Sequence, residues 1–480
     1  MNMIKYTQLH QTSPAKSHHF HKPQPLSQFG LDYQVIVKGK EVISPAVAPT
    51  SQHCLPLSNL DLLLPPIKIG VFFCYKKKDN TDMSSDTVVK KMKRSLAGIL
   101  SKFYPLAGEI VSNSRGEPEL MCNNRGVEFV HARADVDLKD LDFYHPDKTV
   151  KGKLVPKINH GVLSVQATEL KCGSIIISCT INHQVADGYS VGMFLSAWAK
   201  YARFEKISNI PSFRPSILNP RYQPHYESSL DDLYIPISSL PPPSSFKEPL
   251  FSRTYHVRAK TIECLQCEAS TKESKSSKLL SFTAFIWKLL AHGGSYSTRS
   301  RSPFRMGLVV NGRRFLAENC IKNQSLFKCH FGNVVSAPYG VMDSTDLKKM
   351  TLDEVVKNVG KFVSESTNEE HFRGLIDWVE LHRPKPAVAK IYFGCEDDQA
   401  VVVSSGQDLP VNDMDFGWGK PEFGSYHIPW GSRTGYITTM PSASGNGDWV
   451  VYMHLKQKDL DVIELMAPNV FIPLSIATLI

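Results

Sequence analysis

Residues Gly173–Gly188 read GSIIISCTINHQVADG, and how that stretch is parsed decides the fold. Its first half is apolar and β-branched, the composition of a buried strand. The chain leaves the strand at Asn182, presents His183 and then reaches Asp187 and Gly188. After Ser190 comes an amphipathic run, VGMFLSAWAKYARF, which predicts a helix from about Val191 to Phe204. A strand that hands over to a helix through a short turn holds an imidazole between two rigid elements, and Gly188 lets the chain bend sharply. His183 is therefore the candidate general base, since a neutral imidazole accepts a proton near neutral pH. A hydrogen-bonded histidine that merely closes a strand has the same local pattern. Asp187 has two readings. It orients the imidazole as the acidic member of a triad does, or it turns away towards an arginine, with Arg313 as the candidate partner.

Upstream, Tyr33–Ile43 reads as an edge strand and Ile67–Tyr75, IKIGVFFCY, as a buried one. Between them Leu55–Leu64 opens with turn chemistry and stops at Pro65–Pro66. Val88–Phe103 sets Val89, Met92, Leu96, Ile99, Leu100 and Phe103 on one helical face, and Pro105 in YPLAG ends it. A strand pair is expected around Gly108–Val111 and Val127–Ala132.

Downstream, Ser208–Pro249 turns Pro- and Ser-rich and reads as a crossover between domains. The second half starts with a strand at Ser252–Val257. Leu279–Leu290 reads as a helix with Ser281 as its N-cap. Strands follow at Phe304–Val310, Ala389–Phe393, Ala400–Ser404, Thr434–Met440 and Trp449–Leu455. Helices are expected at Leu352–Ser364 and near Leu460–Ala467. The class is mixed α/β. Its 480 residues exceed what one hydrophobic core supports. The division drawn is a flexible tail at 1–30, an N-terminal domain at 31–207, a crossover at 208–249 and a C-terminal domain at 250–480.

Composition narrows the function. Fifty-five Lys and Arg against 46 Asp and Glu leave a charge of +9, which suits an anionic small molecule as readily as a nucleic acid. No recognised nucleic-acid motif accompanies the basic residues. No GxGxxG or Walker sequence follows a strand. Ten cysteines are scattered, and Cys264–Cys267 is a lone C-x-x-C without a second pair at metal spacing. His18, His19 and His21 lie in the polar tail and read as loose chain. No metal site is expected. With no secretory h-region and no membrane-length apolar run, a cytoplasmic protein without a membrane or nucleic-acid partner is expected.

Four motifs then occur in a telling order: YPLAG at Tyr104–Gly108, HxxxDG at His183–Gly188, FGN at Phe331–Asn333 and DFGWG at Asp415–Gly419. With them the chain resembles, over nearly its whole length, the plant BAHD acyl-CoA-dependent acyltransferases. The resemblance implies two similarly folded mixed-sheet domains of the CoA-dependent acyltransferase type with a channel between them. Acyl-CoA, a co-substrate rather than a bound cofactor, enters one mouth, and an alcohol or amine enters the other. His183 is implied as the general base at the channel's centre. Asp187 is implied to be structural and paired with Arg313, which sets the triad reading aside. Gly188 supports the same turn, and Asp415, Gly417, Trp418 and Gly419 form an interface loop remote from the chemistry.

For CoA phosphates the basic residues Lys272, Lys275, Lys278, Arg299, Arg301, Arg305, Arg313 and Arg314 are available. Lys278, Arg299, Ser281 and Thr283 are the tentative CoA contacts. Where shikimate- or quinate-using relatives of this type carry Ser/Thr-x-Trp, this chain has Ser404 and Gly406, with Asp408 in place of a frequent arginine. Gly406 is expected to widen that wall, and Asp408 to disfavour a carboxylate-bearing acceptor. LPLSNLDLLLPP, VFFCYKK, HIPWG and NGDWVVYMHL are similar to the branch that includes coniferyl alcohol acyltransferases. The implied acceptor is a neutral aromatic alcohol such as coniferyl alcohol, the donor acetyl-, benzoyl- or hydroxycinnamoyl-CoA, and the enzyme a monomer. An alkaloid alcohol or amine is the alternative acceptor. A non-catalytic small-ligand-binding protein is the alternative class.

Overall fold

The computed structural model describes residues 32–47, 49, 51–77, 84–240, 248–272, 274–296, 303–317, 321–393, 399–431 and 433–476. The tail expected at 1–30 lies outside them, and so do Arg299 and Arg301. Two large mixed sheets organise the chain. In the first, the spatial order is Val35–Ile43, Val127–Ala134, Leu163–Leu170, Ile175–Asn182, Lys68–Tyr75 and Phe423–His427. Its outer strand, Val35–Ile43, is exposed along most of its length and carries Lys38, Lys40 and Glu41. Such charges protect an open edge from pairing with another chain.

The adjacent inner strands Ile175–Asn182 and Lys68–Tyr75 are buried on both faces along most of their length, as their unbroken apolar runs require. They pair antiparallel from Lys68 opposite Asn182 to Tyr75 opposite Ile175. Helices Ser85–Leu100 and Gly188–Ala202 pack together against this core. The buried Trp198 indole donates to Ser95 Oγ at 3.0 Å and ties the two helices.

The second sheet runs Tyr339–Asp343, Pro303–Leu308, Gln399–Ser405, Gly435–Pro441, Trp449–Lys456, Leu250–Val257 and Ile472–Pro473. Helices Lys278–Leu290 and Leu352–Glu365 cover it, with the Trp287 indole edge-on to both Phe304 and Phe362. Phe423–His427 comes from the second half of the sequence yet pairs with Lys68–Tyr75, Phe423 opposite Cys74 and His427 opposite Gly70. The chain thus crosses back over the division drawn at residue 250.

Several local expectations change. Glu109–Ser112 pairs with Pro118–Cys122, while Val127–Ala134 sits between Val35–Ile43 and Leu163–Leu170, so the two strands expected to pair belong to different sheets. The strand expected at Ala389–Phe393 ends at Ala389 and tightens into a 3₁₀ turn, Lys390–Phe393. Ser277, not Ser281, caps the Lys278–Leu290 helix by accepting from the Leu280 N–H. The crossover is pinned to the second half. Tyr234–Pro236 pairs with Ala387–Ala389, and Arg221 is held by the buried Asp377 and by Glu370.

Candidate active site

The ladder between Lys68–Tyr75 and Ile175–Asn182 delivers His183 one residue beyond its end. The His183 N–H donates to the Ile67 carbonyl at 2.9 Å, extending the pairing by one bond. Its Nδ1 lies 3.1 Å from Asn333 Oδ1, and Asn333 Nδ2 donates to the His183 carbonyl at 2.9 Å. Burial holds the imidazole below the ordinary histidine range, against the pull of its own carbonyl, the Asp187 charge and Asn333. The ring is therefore neutral near pH 7 and able to accept a proton.

Asp187 points elsewhere. It is the N-cap of helix Gly188–Ala202 and accepts from the Ser190 N–H. Arg313 grips it through two bonds, at 2.6 and 3.1 Å, and the Val334 N–H adds a third contact at 3.1 Å. Both partners are buried, Asp187 at 3% and Arg313 at 5% exposure. Burial pushes this carboxyl up, but the guanidinium and the backbone donors outweigh it and hold the group below the usual carboxylate range. Arg313 also donates to the Gly332 carbonyl at 2.9 Å and to Ser190 Oγ at 3.1 Å. The ion pair thus clamps the turn that carries His183 to the turn that carries Asn333. Gly332 has φ +155°, and a Cβ there would lie 2.9 Å from His330 Nε2, so the second turn needs glycine.

Three cavities share Tyr189 in their walls. One of about 350 Å³ lies between the two halves and contains His183. From the first half it takes Leu64, Pro65, Ile67 and Ile69; from the second it takes a wall of Tyr392, Tyr426, Trp430 and Tyr436. Among the described residues no Lys or Arg lines it. Ser404 and Gly406 are on the same wall, with Asp408 at the junction to a second cavity that also contains Lys200. Ser404 Oγ lies 2.7 Å from Tyr436 Oη. Burial and the charge of Asp187 push the Asp408 carboxyl up, with Arg313 opposing. Gly406 offers less room than its lack of a side chain implies. A Cβ would sit 2.9 Å from Thr438 Oγ1, Thr439 O and Met440 Cγ, because the neighbouring strand closes on it.

A third cavity, about 840 Å³, opens beside the cap Ser277, with Arg313, Arg314 and Lys328 in its wall. It shares Leu279, Val309 and Asn311 with the His183 cavity. Ser281 and Thr283 do not reach it. Both are fully buried, and their hydroxyls donate back to the Ser277 and Leu279 carbonyls. Lys278 lies 3.7 Å from Glu263, on the outer side of the helix start. Cys264 and Cys267 are exposed on helix Ala259–Glu268.

The DFGWG segment packs into the first half. Asp415 Oδ1 accepts from the Gly417 and Gly419 N–H groups, at 2.7 and 2.9 Å, and the Asp415 carbonyl accepts from Arg203. Trp418 stacks on Phe416 and meets Tyr75 edge-on, with Lys91 over its ring. These residues lie away from the His183 cavity. Sequence reasoning missed Asp61, Tyr189 and the four-ring wall, and it took Asn333 only as part of a motif. HIPWG held the signal for Trp430.

A family model described as Transferase family matches residues 33–467. The hydroxycinnamoyltransferase of Narcissus pseudonarcissus is 26% identical over 88% of this chain and 97% of its own length. Among solved structures, vinorine synthase superposes with a TM-score of 0.68 at 22% identity, covering 92% of this chain and all of that one. Fusarium graminearum TRI101 complexed with ethyl coenzyme A gives 0.70 at 14% identity over 87% of this chain and 98% of that one. At these identities the structures speak for the fold, while the family model spans most of the sequence. The chain belongs to the transferase family, as a plant-type BAHD acyl-CoA-dependent acyltransferase.

Proposed function

We propose that this enzyme moves an acetyl, benzoyl or hydroxycinnamoyl group from acyl-CoA to the hydroxyl of a small neutral aromatic alcohol, such as coniferyl alcohol. The observation that carries the reading is the His183 cavity, with Tyr189 and a second-half wall of four aromatic rings around it and no Lys or Arg among the described residues that line it. Such a site favours a flat, uncharged acceptor through ring packing. Its described residues offer no cation for a carboxylate, and Asp408 repels one.

In this mechanism His183 removes the hydroxyl proton as the oxygen attacks the thioester carbonyl. The tetrahedral oxyanion collapses, expels the CoA thiolate and takes back its carbonyl. The imidazolium then protonates the thiolate. No acyl-enzyme forms, because the thioester is already activated and His183 acts as base, not nucleophile. The paired hydroxyls of Ser404 and Tyr436, on the cavity wall, are candidate donors for the oxyanion. CoA takes the larger cavity, its phosphates meeting Arg314, Lys328 and the helix start at Ser277. Binding both substrates around one base supplies the proximity that the reaction needs.

Asp408 supports a second acceptor class, an alkaloid alcohol or amine, whose cationic nitrogen a carboxylate without an ion-pair partner among the described residues attracts. A matrix of acyl-CoA donors against neutral alcohols, basic alcohols and amines, read by mass spectrometry, separates the two. Neutral aromatic alcohols are expected to give ester and free CoA, and His183→Ala to lose roughly 10²–10⁴ in kcat. Ligand binding without turnover for every pair would instead mark a non-catalytic binding protein.

A further inference from the structure

A run of buried side chains ends on the catalytic imidazole. Asp61 Oδ2 accepts from the Ser58 N–H at 2.9 Å and from the Ser58 hydroxyl at 2.6 Å. Asp61 Oδ1 accepts from the Asn333 N–H at 2.7 Å and from Asn333 Nδ2 at 2.8 Å. Burial pushes the Asp61 carboxyl up, against the donors of Ser58 and Asn333, but Oδ1 already accepts from the Asn333 backbone N–H, so the end of the Asn333 amide beside it is the NH₂. The same NH₂ donates to the His183 carbonyl at 2.9 Å. Both amide hydrogens are committed to oxygens, and a flipped amide would set its own oxygen against a carboxylate and a carbonyl. The amide oxygen therefore faces His183 Nδ1, at 3.1 Å, and it too can only accept. A ring nitrogen between acceptors carries the hydrogen.

We propose that Asp61 and Asn333 are positioning residues that lock His183 in the Nδ1–H tautomer, leaving the Nε2 lone pair to take the acceptor's proton. Asp61 has no cationic partner among the described residues. A buried carboxylate without one is costly. Packing alone would be met by an amide at position 61. What a carboxylate adds is that it accepts from any donor and gives none back, so Asn333 has one orientation only. Neither residue touches the reacting atoms. The role of Nε2 rests on the acyl-transfer reading; the tautomer does not.

The test uses the full chain labelled with ¹⁵N-histidine, with imidazole ¹⁵N–¹H correlation above the ring's titration. The His183 signals are identified by difference from His183→Gln. The wild type is expected to show the Nδ1–H form alone. Asn333→Ala is expected to give mixed tautomers and a kcat lowered roughly 10²-fold, with KM for acyl-CoA within about twofold. The acid limb of kcat/KM should move to lower pH, because the imidazolium loses an acceptor. Asp61→Asn should give the same mixture with a smaller loss in kcat. A wild-type proton on Nε2 would overturn the proposal, and so would an unchanged tautomer and kcat in Asn333→Ala or a single Nδ1–H form in Asp61→Asn. Because the wild-type spectrum needs only its His183→Gln reference and no turnover, it decides even where Asn333→Ala or Asp61→Asn fails to fold. It also separates failure of this inference from absence of acyl transfer.

Discussion

Replacing Arg313 by Met separates a structural Asp187 from a catalytic one. The substitution keeps most of the side chain's bulk and removes its charge and all of its donors. Asp187 would lose two of its four bonds and keep only the Ser190 and Val334 N–H groups. The Gly332 carbonyl and Ser190 Oγ would lose a donor as well. Stripping one partner from a buried pair leaves an uncompensated charge, at a cost of about 3–5 kcal/mol. For a domain of this size that is a fall in Tm on the order of 10 °C. The pH dependence has a defined sign. In the wild type the Asp187 carboxyl is held below its unfolded value, so its stabilisation is present above about pH 4 and fades as pH falls through the folded pKa. In the variant the burial is uncompensated, the carboxyl rises, and stability falls as pH climbs above that point. The gap between the two proteins should therefore be widest near neutrality and narrow below about pH 4.

The assay is thermal unfolding from pH 3.5 to 8 beside acyl transfer at a temperature where both proteins are folded. Asp187→Ala and the double variant complete the cycle. A coupling energy of several kcal/mol, with kcat in Asp187→Ala reduced far less than in His183→Ala, fits an aspartate that braces the turn. If Asp187→Ala kept its Tm yet lost as much kcat as His183→Ala, the bracing argument would be refuted and the triad restored.

Other outcomes follow from neighbouring features. His427 and His454 are buried side by side near Asp147 and Lys151, and burial pulls each ring down to about 4. The unfolded chain binds these protons first, so stability should decline from about pH 6.5 towards pH 4, by up to about 3 kcal/mol per ring. His427→Phe should flatten that slope in urea titrations at pH 7 and pH 5. Burial also keeps His183 in its base form below the usual histidine range, so kcat/KM should hold its plateau to below pH 6.5. A plateau ending above pH 7 would contradict the assignment. Gly406→Ala should cost about 1–3 kcal/mol through the 2.9 Å approach to the Thr439 carbonyl. An unchanged Tm would show that the strand can yield.

The hand-over at His183 is legible because strand composition and helix period change within a few residues there. The aromatic wall is not. Tyr392, Tyr426, Trp430 and Tyr436 come from a 3₁₀ turn, a strand, a loop and a second strand, and only the strand order brings them together. Asn333 lies 150 residues from His183, a separation that no local pattern bridges. Ser277 and Ser281 stand four apart, and the buried helix after them is apolar on nearly every side, so its period does not say which one starts it. The crossover has the composition of a loose linker, yet the fold pins Arg221 on Asp377, 156 residues away. Phe423–His427 is too short and too mixed to announce itself. It is a strand because Lys68–Tyr75 offers it an open edge.

That last strand explains how a loop far from the chemistry bears on the acceptor. Met414, Phe416 and Trp418 bury themselves in the first half's core, where the Tyr75 hydroxyl donates to the Met414 carbonyl at 2.7 Å. The chain leaving this anchor pairs at once with Lys68–Tyr75, which sets Tyr426 opposite Val71. Tyr426, Ile428 and Trp430 then line the His183 cavity. Ile69, on the Lys68–Tyr75 strand itself, shares that sheet face with Tyr426, and Ile67 lies just before the strand. Adjoining parts of the pocket wall are therefore indexed to one strand, and the DFGWG anchor holds the register. Asp187 and Arg313 do the corresponding work at the base, joining the His183 turn to the Asn333 turn across the two halves. Both devices act by fixing where separate parts of the chain meet, so their loss should blur the pocket and the base together, without removing any group that takes part in the reaction.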